Sequence, residues 1–443
     1  MTDYEDLVDR FTACANESVQ FRLIRSSAEF ESTPTDLPGQ YNETRKQMDI
    51  ESSSGVSQGR FSQLKPDTPF NPDMSHQMFG EKESIWGYHD LKIKLWFSAG
   101  SLKQYYKVEY TDKVNAEEHG IVAQNLEDKL MDQSCLLKDK FENVADFKTI
   151  LDKDAETFEP VGEKVHEYTR VKNGETRKFI VTKANLARAG EKLLDYHERI
   201  QIFLLWFVDA ASYIDDEDDK WDFYFLFEEY ETGKFAIAGY ATVYRFFAYP
   251  DKTRPRISQI LTLPPFQRMG HGNELMELIY REYRVKNVVD MTVEDPSENF
   301  QRVRDFLDCC LLTSLPEFCK EKVLSRKKVS LAQIKIAREK FKINRLQCIR
   351  VFDILLFYLS EIDSSDEITR EDCKKLMMTR MWDHYVRSKK LRELKRGLQQ
   401  KGQSSDTSDE DKFKQMKEEA EAVLSEYDRV LLRFKREPLE NWS

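Results

Sequence analysis

The chain has no long apolar run. Its two greasiest stretches, IQIFLLWFV at 200–208 and FDILLFYL at 352–359, fall well short of the roughly 18 apolar residues that a membrane span requires, so no membrane-spanning helix is expected. Metal and redox signatures are missing too. The seven cysteines (14, 135, 309, 310, 319, 348 and 373) form no CxxC pair and no ladder with the seven scattered histidines. Reduced thiols are expected instead of a metal centre or a disulfide framework. Positive charge is in deficit: the net charge is −11. That balance argues against direct nucleic-acid binding and for a neutral or cationic partner. The opening MTDYEDLVDRF has neither a basic region nor an apolar stretch, so no secretory leader is expected and a cytosolic or nuclear setting is.

What is present is a chain of 443 residues with 40% hydrophobic and 33% charged residues, enough for two or three cored domains with polar surfaces. Residues 26–73 are dominated by Ser, Thr, Gly, Pro and Asp and hold no apolar period; a disordered insertion is expected there. Residues 1–25 and 74–195 are expected to form an N-terminal α/β domain, in which LKIKLWFSAGSLKQYYKVEYTDKV reads as two strands joined by a Gly-Ser turn. Residues 196–320 are the most regular. An apolar segment (196–214) leads to an acidic run (215–219), then the strands WDFYFLFEEY and KFAIAGYATVYRFFAY, a turn PDKTRPR, and a third strand RISQILTL. A glycine loop, a helix, a fourth strand NVVDMTVE and a second helix follow, which implies an α/β sheet ending in a parallel crossover. Residues 321–443 read as helical. There Phe413, Met416, Ala420, Val423, Tyr427, Val430 and Phe434 alternate spacings of three and four, as an a/d seam does. A helical hairpin closing on itself is favoured over a partner-binding coiled coil. The basic clusters at 326–328 and 387–396 are weak candidates for import signals.

The glycine loop reads LPPFQRMGHGNELMELI at 263–279. It is neither GxGxxG, since Leu275 stands third, nor a GK[ST] loop. Its pattern is Gln267-x-x-Gly270-x-Gly272 directly before a helix. Glycines let backbone close on an anion, and a helix N-terminus offers N–H groups and a positive dipole end. A pyrophosphate suits it; a plain strand-to-helix turn remains open.

Q/RxxGxG/A after a strand resembles the acetyl-CoA loop of GCN5-related N-acetyltransferases. That resemblance implies a mixed sheet of this type, a pantetheine arm along Ile260, Leu261 and Thr262, and phosphate contacts at Gln267, Arg268, Met269, Gly270, His271, Gly272 and Asn273. Together WFVDAASYID, YPDKTRPRISQ, PFQRMGHG, EDPSENFQRVRDF, KFKIN and HQMFGEKESIWGYHDLKIKLWFSAGSL resemble the catalytic subunits of type B histone acetyltransferases. The family implies acetyl-CoA as cosubstrate without a metal. It also implies a free histone tail, that of the fourth core histone, as acceptor, a WD-repeat histone chaperone as partner, and residence in nucleus and cytoplasm.

A lysine amine must lose its proton before attack, at about 4–5 kcal/mol near neutral pH, and a placed carboxylate can take that proton. Two acids end the fourth strand. Asp295-Pro296-Ser297-Glu298 fits a helix start with Asp295 as N-cap and Glu298 closing a capping box. Glu294 has no such structural duty, and the resemblance places the principal base there, with Asp295 in support. It also implies an acid at Asp209, where the family usually has the longer Glu. Peptide contacts are implied at Trp221, Tyr244, Arg245, Phe246, Glu81, Lys82 and Glu83, although Arg245 and Lys82 offer a cationic peptide nothing. Cys309 and Cys310 are expected to be core rather than acyl carriers. Two other classes stay open: an N-acetyltransferase for another acceptor, and a non-catalytic histone-binding scaffold.

Overall fold

A computed structural model describes residues 7–31, 68–115, 117, 122–172, 174–215, 217–362, 368–398, 409–439 and 442, with the side chains of 172, 388–398 and 409 excluded. The chain divides into two compact units. One comprises Met1–Phe246 and Ile257–Leu275, the other Phe247–Arg256 and Met276–Ser443.

In the first unit, β1 (Val19–Ile24), β2 (Lys92–Ser98) and β3 (Gln104–Glu109) form a three-stranded sheet, parallel between β1 and β2 and antiparallel between β2 and β3. The expected turn at Gly100-Ser101 joins β2 to β3. Phe21 of β1 is fully buried, and its ring meets Phe70, Phe97, Phe203, Trp206 and Phe207 at 5.5–6.4 Å. This hub draws in both the apolar run and the end of the expected insertion. Phe21 and Phe70 exchange backbone hydrogen bonds (2.8 and 2.9 Å), and Asn71 is buried. Ser27–Glu31 is helical. The bounds 26–73 therefore narrow at both ends, because the flanks are tied to β1; residues 32–67 lie outside the described residues.

The larger sheet of this unit runs β4 (Glu163–Lys172), β5 (Glu175–Ala184), β6 (Trp221–Glu231), β7 (Lys234–Ala248) and the Ile257–Thr262 part of β8 (Lys252–Thr262). β4 to β7 pair antiparallel in sequence. Residues 221–228 of β6 are buried without alternation, as befits a central strand covered on both faces. Glu228 is buried among them and receives both Arg177 and Arg25, the latter at 2.8 Å. The apolar segment folds as α2 (Glu191–Ile200), a 3-10 turn at Gln201–Phe203 and α3 (Leu204–Phe207), not one long helix.

In the second unit, the turn expected at PDKTRPR is largely strand: β8 begins at Lys252. Thr253 bridges Val288 in parallel, donating to the Asn287 carbonyl at 2.8 Å and accepting from Val289 at 3.0 Å. These bonds recruit the segment despite Pro255. The fourth strand is brief, β9 (Thr292–Val293). Helix α4 (His271–Tyr283) precedes it; α5 (Glu298–Thr313), α6 (Arg345–Ile362), α7 (Arg370–Leu398) and α8 (Asp409–Arg436) follow. The heptad seam is internal: Met416, Ala420, Tyr427, Val430 and Phe434 are buried, and α8 packs on α7, α6 and α5. Only its first position, Phe413, is exposed, edge-on to Trp382 of α7 at 6.1 Å. Cys309 is buried and Cys310 half-buried, and burial pushes the Cys310 thiol up to about 11, which suits core roles.

Candidate active site

The glycine loop is built at the end of β8. The Leu263 amide bonds the Ala238 carbonyl of β7 at 2.9 Å, and a 3-10 turn, Pro264–Phe266, buries all three residues. Gln267 then folds back, its Nε2 donating to the Thr262 carbonyl at 3.0 Å. That side chain secures the strand end. Arg268 (φ +62°) and Gly270 (φ +81°) are both left-handed. This costs a non-glycine residue about 1–2 kcal/mol and glycine almost nothing. The first full helical bond of α4 runs from the Glu274 amide to the Gly270 carbonyl at 3.2 Å, so the amides at 270–272 precede the ladder at the helix's positive end. A Cβ at Gly272 would meet no protein atom within 4 Å. The fold's own packing does not demand glycine there; close approach of a ligand would.

A layer under the loop was not visible in the sequence. His166, Tyr168 and Arg170 lie on one face of β4. His166 Nε2 is 3.1 Å from Glu274 Oε2, and the Tyr168 hydroxyl is 2.6 Å from His271 Nδ1. Arg170 Nε donates to the Met269 carbonyl at 3.1 Å, and one of its amino groups pairs with Glu274. From β5, Arg177 lies 5.4 Å over the Phe266 ring and 3.5 Å from Met269 Sδ. Phe179 packs on the His271 ring at 4.3 Å. The His271 side chain is therefore buried within the protein, contrary to the expectation that it faces phosphate; only its backbone is placed for one. Burial, followed by the nearby Glu274 charge, pushes the Tyr168 phenol up, so it stays protonated.

The acidic run and the aromatics share one surface. Trp221 is mostly buried and edge-on to Tyr244 at 4.8 Å, and Tyr244 meets the half-exposed Phe246 at 4.6 Å. The Tyr244 hydroxyl donates to Asp218 Oδ2 at 2.8 Å. The Lys220 amide and that hydroxyl hold the Asp218 carboxyl below its usual range. Arg245 braces this turn through the Lys220 carbonyl (3.2 Å), the Asp219 carbonyl and Asp222 (3.4 Å). Its charge is thus turned to partners within the protein. Asp215, Glu217 and Asp219 are exposed, while Asp216 lies outside the described residues.

Asp209 follows α3 and is largely exposed, 3.3 Å from His76 Nε2. The segment 73–77 clamps its turn: the Asp73 and Met74 amides bond the Trp206 carbonyl (3.0 and 3.3 Å), and Gln77 donates to the Ala211 carbonyl (2.9 Å). Gln259 of β8 donates to the Ser212 carbonyl at 2.9 Å, tying the same turn to the strand residue before Ile260. Glu83 is not a surface acid of a simple turn. It accepts from the Ser75 and His76 amides (2.6 and 3.1 Å) and from Asn16 (2.7 Å), leaving Glu81 and Lys82 exposed.

In the second unit, Glu294 directly follows β9, its side chain 49% exposed and 3.9 Å from Arg256 Nη1. Asp295 is exposed with φ +29° and caps nothing; Ser297 is the N-cap of α5, accepting from the Phe300 amide at 3.3 Å. The capping reading of Asp295 is thus corrected: its positive φ shifts the helix start two residues on. The strand leading to Glu294 is held from beneath. The Met291 carbonyl accepts Asn344 Nδ2 (3.0 Å) and Arg304 (3.5 Å), and its amide bonds the Lys342 carbonyl (2.8 Å). Arg304 sits with Asp308 at 3.6 Å in the buried core, where burial pushes the Asp308 carboxyl up to about 7. Asp305, also buried, accepts from Gln301, Gln347 and Arg350 at 2.6–2.9 Å. Among the described residues no cluster of His, Cys, Asp and Glu could hold a metal ion.

Residues 11–209 match the family described as "Histone acetyl transferase HAT1 N-terminus", residues 193–304 the "Acetyltransferase (GNAT) family", and residues 304–357 "Histone acetyltransferase type B catalytic subunit, C-terminal". A histone acetyltransferase type B catalytic subunit of Rattus norvegicus is 35% identical over 376 residues, 83% of this chain and 88% of that one. Its counterpart in Homo sapiens is 34% identical over the same shares. One from Cryptococcus neoformans is 31% identical over 332 residues, 68% of this chain and 78% of that one.

Proposed function

This chain belongs to the family of type B histone acetyltransferase catalytic subunits, and from that premise we propose that it acetylates lysines in the free N-terminal tail of the fourth core histone, with Glu294 as general base. The observation that carries the reading is the Gln267–Asn273 loop: a left-handed Gly270, an unobstructed Gly272 and the amides of the α4 N-terminus suit the pyrophosphate of acetyl-CoA. Acetyl-CoA supplies the thioester whose acetyl group is transferred. The residues of the chain do the remainder. Ile260 to Thr262 offer backbone groups to the pantetheine arm, and amides there are suited to an oxyanion. The exposed carboxylates of Asp215, Glu217 and Asp219 beside Trp221, Tyr244 and Phe246 suit a basic, extended peptide. Glu294 accepts the ammonium proton as the amine attacks, with Asp295 and Asp209 as supporting acids. Direct transfer needs no acyl-enzyme, in keeping with the buried state of Cys309. Resemblance further suggests a WD-repeat histone chaperone as partner and residence in nucleus and cytoplasm.

The test is purified chain with acetyl-CoA and a panel of acceptors, read by mass spectrometry. Acetylation of the histone tail is expected. Transfer to polyamines but not to the tail would replace this reading with a small-amine one, and no product at all would favour a histone-binding scaffold.

A further inference from the structure

The fold spends three side chains of one strand on the underside of the glycine loop. His166, Tyr168 and Arg170 alternate along β4, and each reaches the loop or the first turn of α4. None belongs to the loop motif, and Arg170 stands 99 residues from the carbonyl it binds. We propose that Arg170 is a positioning residue for acetyl-CoA, fixing the Met269 carbonyl and thereby aiming the amides of Gly270 to Gly272 at the phosphates. This rests on the reading of the loop as the acetyl-CoA site.

The argument is geometric. In a planar trans peptide the carbonyl of one residue and the N–H of the next point opposite ways. Arg170 Nε holds the Met269 carbonyl at 3.1 Å, so the Gly270 N–H is turned away from β4. That peptide needs holding, because it lies between left-handed residues at 268 and 270, and glycine's backbone resists little. Arg170 is itself fixed. An amino group pairs with Glu274, which His166 holds from its other oxygen at 3.1 Å, and the guanidinium lies 4.9 Å over the Tyr168 ring. It also comes within 3.7 Å of where a Cβ on Gly270 would stand, so its positive charge borders the turn. With Glu274 balancing that charge, its contribution is chiefly the direction of the loop amides.

The experiment compares the full chain with Arg170→Gln, Arg170→Lys and Gly272→Val. CoA binding is read by calorimetry, steady-state constants for acetyl-CoA and histone peptide by turnover, and folding by Tm. Gly272→Val tests the site itself, since its Cβ has room in the protein. Arg170→Gln is expected to raise KM for acetyl-CoA and Kd for CoA about tenfold, the scale of one hydrogen bond to a charged group. kcat should stay within twofold and KM for the peptide should not move. Arg170→Lys should recover to within about threefold of wild type. If Gly272→Val weakens CoA binding while both Arg170 variants keep wild-type Kd and KM, the proposal is overturned and the loop reading stands. If Gly272→Val binds CoA as wild type does, the loop reading fails and the proposal with it. An Arg170→Gln variant that lowers only Tm shows a merely structural role and overturns the proposal. Should that variant not fold, Arg170→Met takes its place, and wild-type Kd and KM in Arg170→Met overturn the proposal.

Discussion

His76 Nε2 lies 3.3 Å from Asp209 Oδ1, joining the short helix His76–Phe79 to the turn after α3. A histidine restrains this acid. Both His76→Ala and Asp209→Ala are expected to lower kcat/KM about two- to fivefold, the pair being half-buried on the His76 side and exposed on the Asp209 side. The double variant should lose little more than either single one. Additive losses in the same turnover assay would separate the two residues.

Glu294→Gln is expected to lower kcat by about 10²–10⁴, the range of a lost general base, with KM for acetyl-CoA within about twofold of wild type. Asp295→Asn should cost less than tenfold, since its carboxyl is exposed and caps no helix. The reverse ranking would move the base to Asp295.

The peptide surface can be tested by charge and by ring. Trp221→Ala should raise KM for the histone peptide several-fold and leave KM for acetyl-CoA alone. Asp215→Asn with Asp219→Asn should flatten the dependence of peptide KM on salt, because exposed charges act through a field that ions screen. Both acids are exposed, and neither carboxylate holds Tyr244, so the ring stack should survive.

Asp308 sets a pH dependence of stability. Burial raises its carboxyl from 3.8 to about 7 in the folded state. A raised acid favours folding when protonated: its contribution is complete below the unfolded pKa and is lost as pH rises through about 7. The Tm of the wild type is thus expected to fall by a few degrees from pH 6 to pH 8. Asp308→Asn, which mimics the protonated form, should flatten that slope in scanning calorimetry. An unchanged slope would place the titration elsewhere.

The local features of this fold were readable from the sequence. β2, β3, β6 and β7 followed from runs of aromatic and β-branched residues, and the a/d spacing of Phe413 to Phe434 found the buried face of α8. The loop was readable because glycine spacing and helix start are adjacent in sequence. Errors arose where two residues could do one job. Asp295 and Ser297 can both cap a helix; the left-handed backbone at Asp295 decided for Ser297. PDKTRPR has the composition of a turn, yet the bonds of Thr253 with 287 and 289 made it strand. The inward His271, the internal duty of Glu83 and the clasp of Arg170 were not readable. Each depends on a partner far away in sequence, supplied by β4, β5 and Asn16, and Glu83 also on the nearer Ser75 and His76 amides.

The Met291 carbonyl accepts from Asn344, a residue made 53 positions later. During synthesis, then, the strand that carries Glu294 emerges beside β8 but without the Lys342 and Asn344 groups that bind Met291. The polypeptide has to extend past Asn344 before those bonds can form. The segment around Asn344 is in this sense a timing element: on the reading of Glu294 as base, a chain cut short ahead of Asn344 would lack bonds that hold the strand leading to that acid.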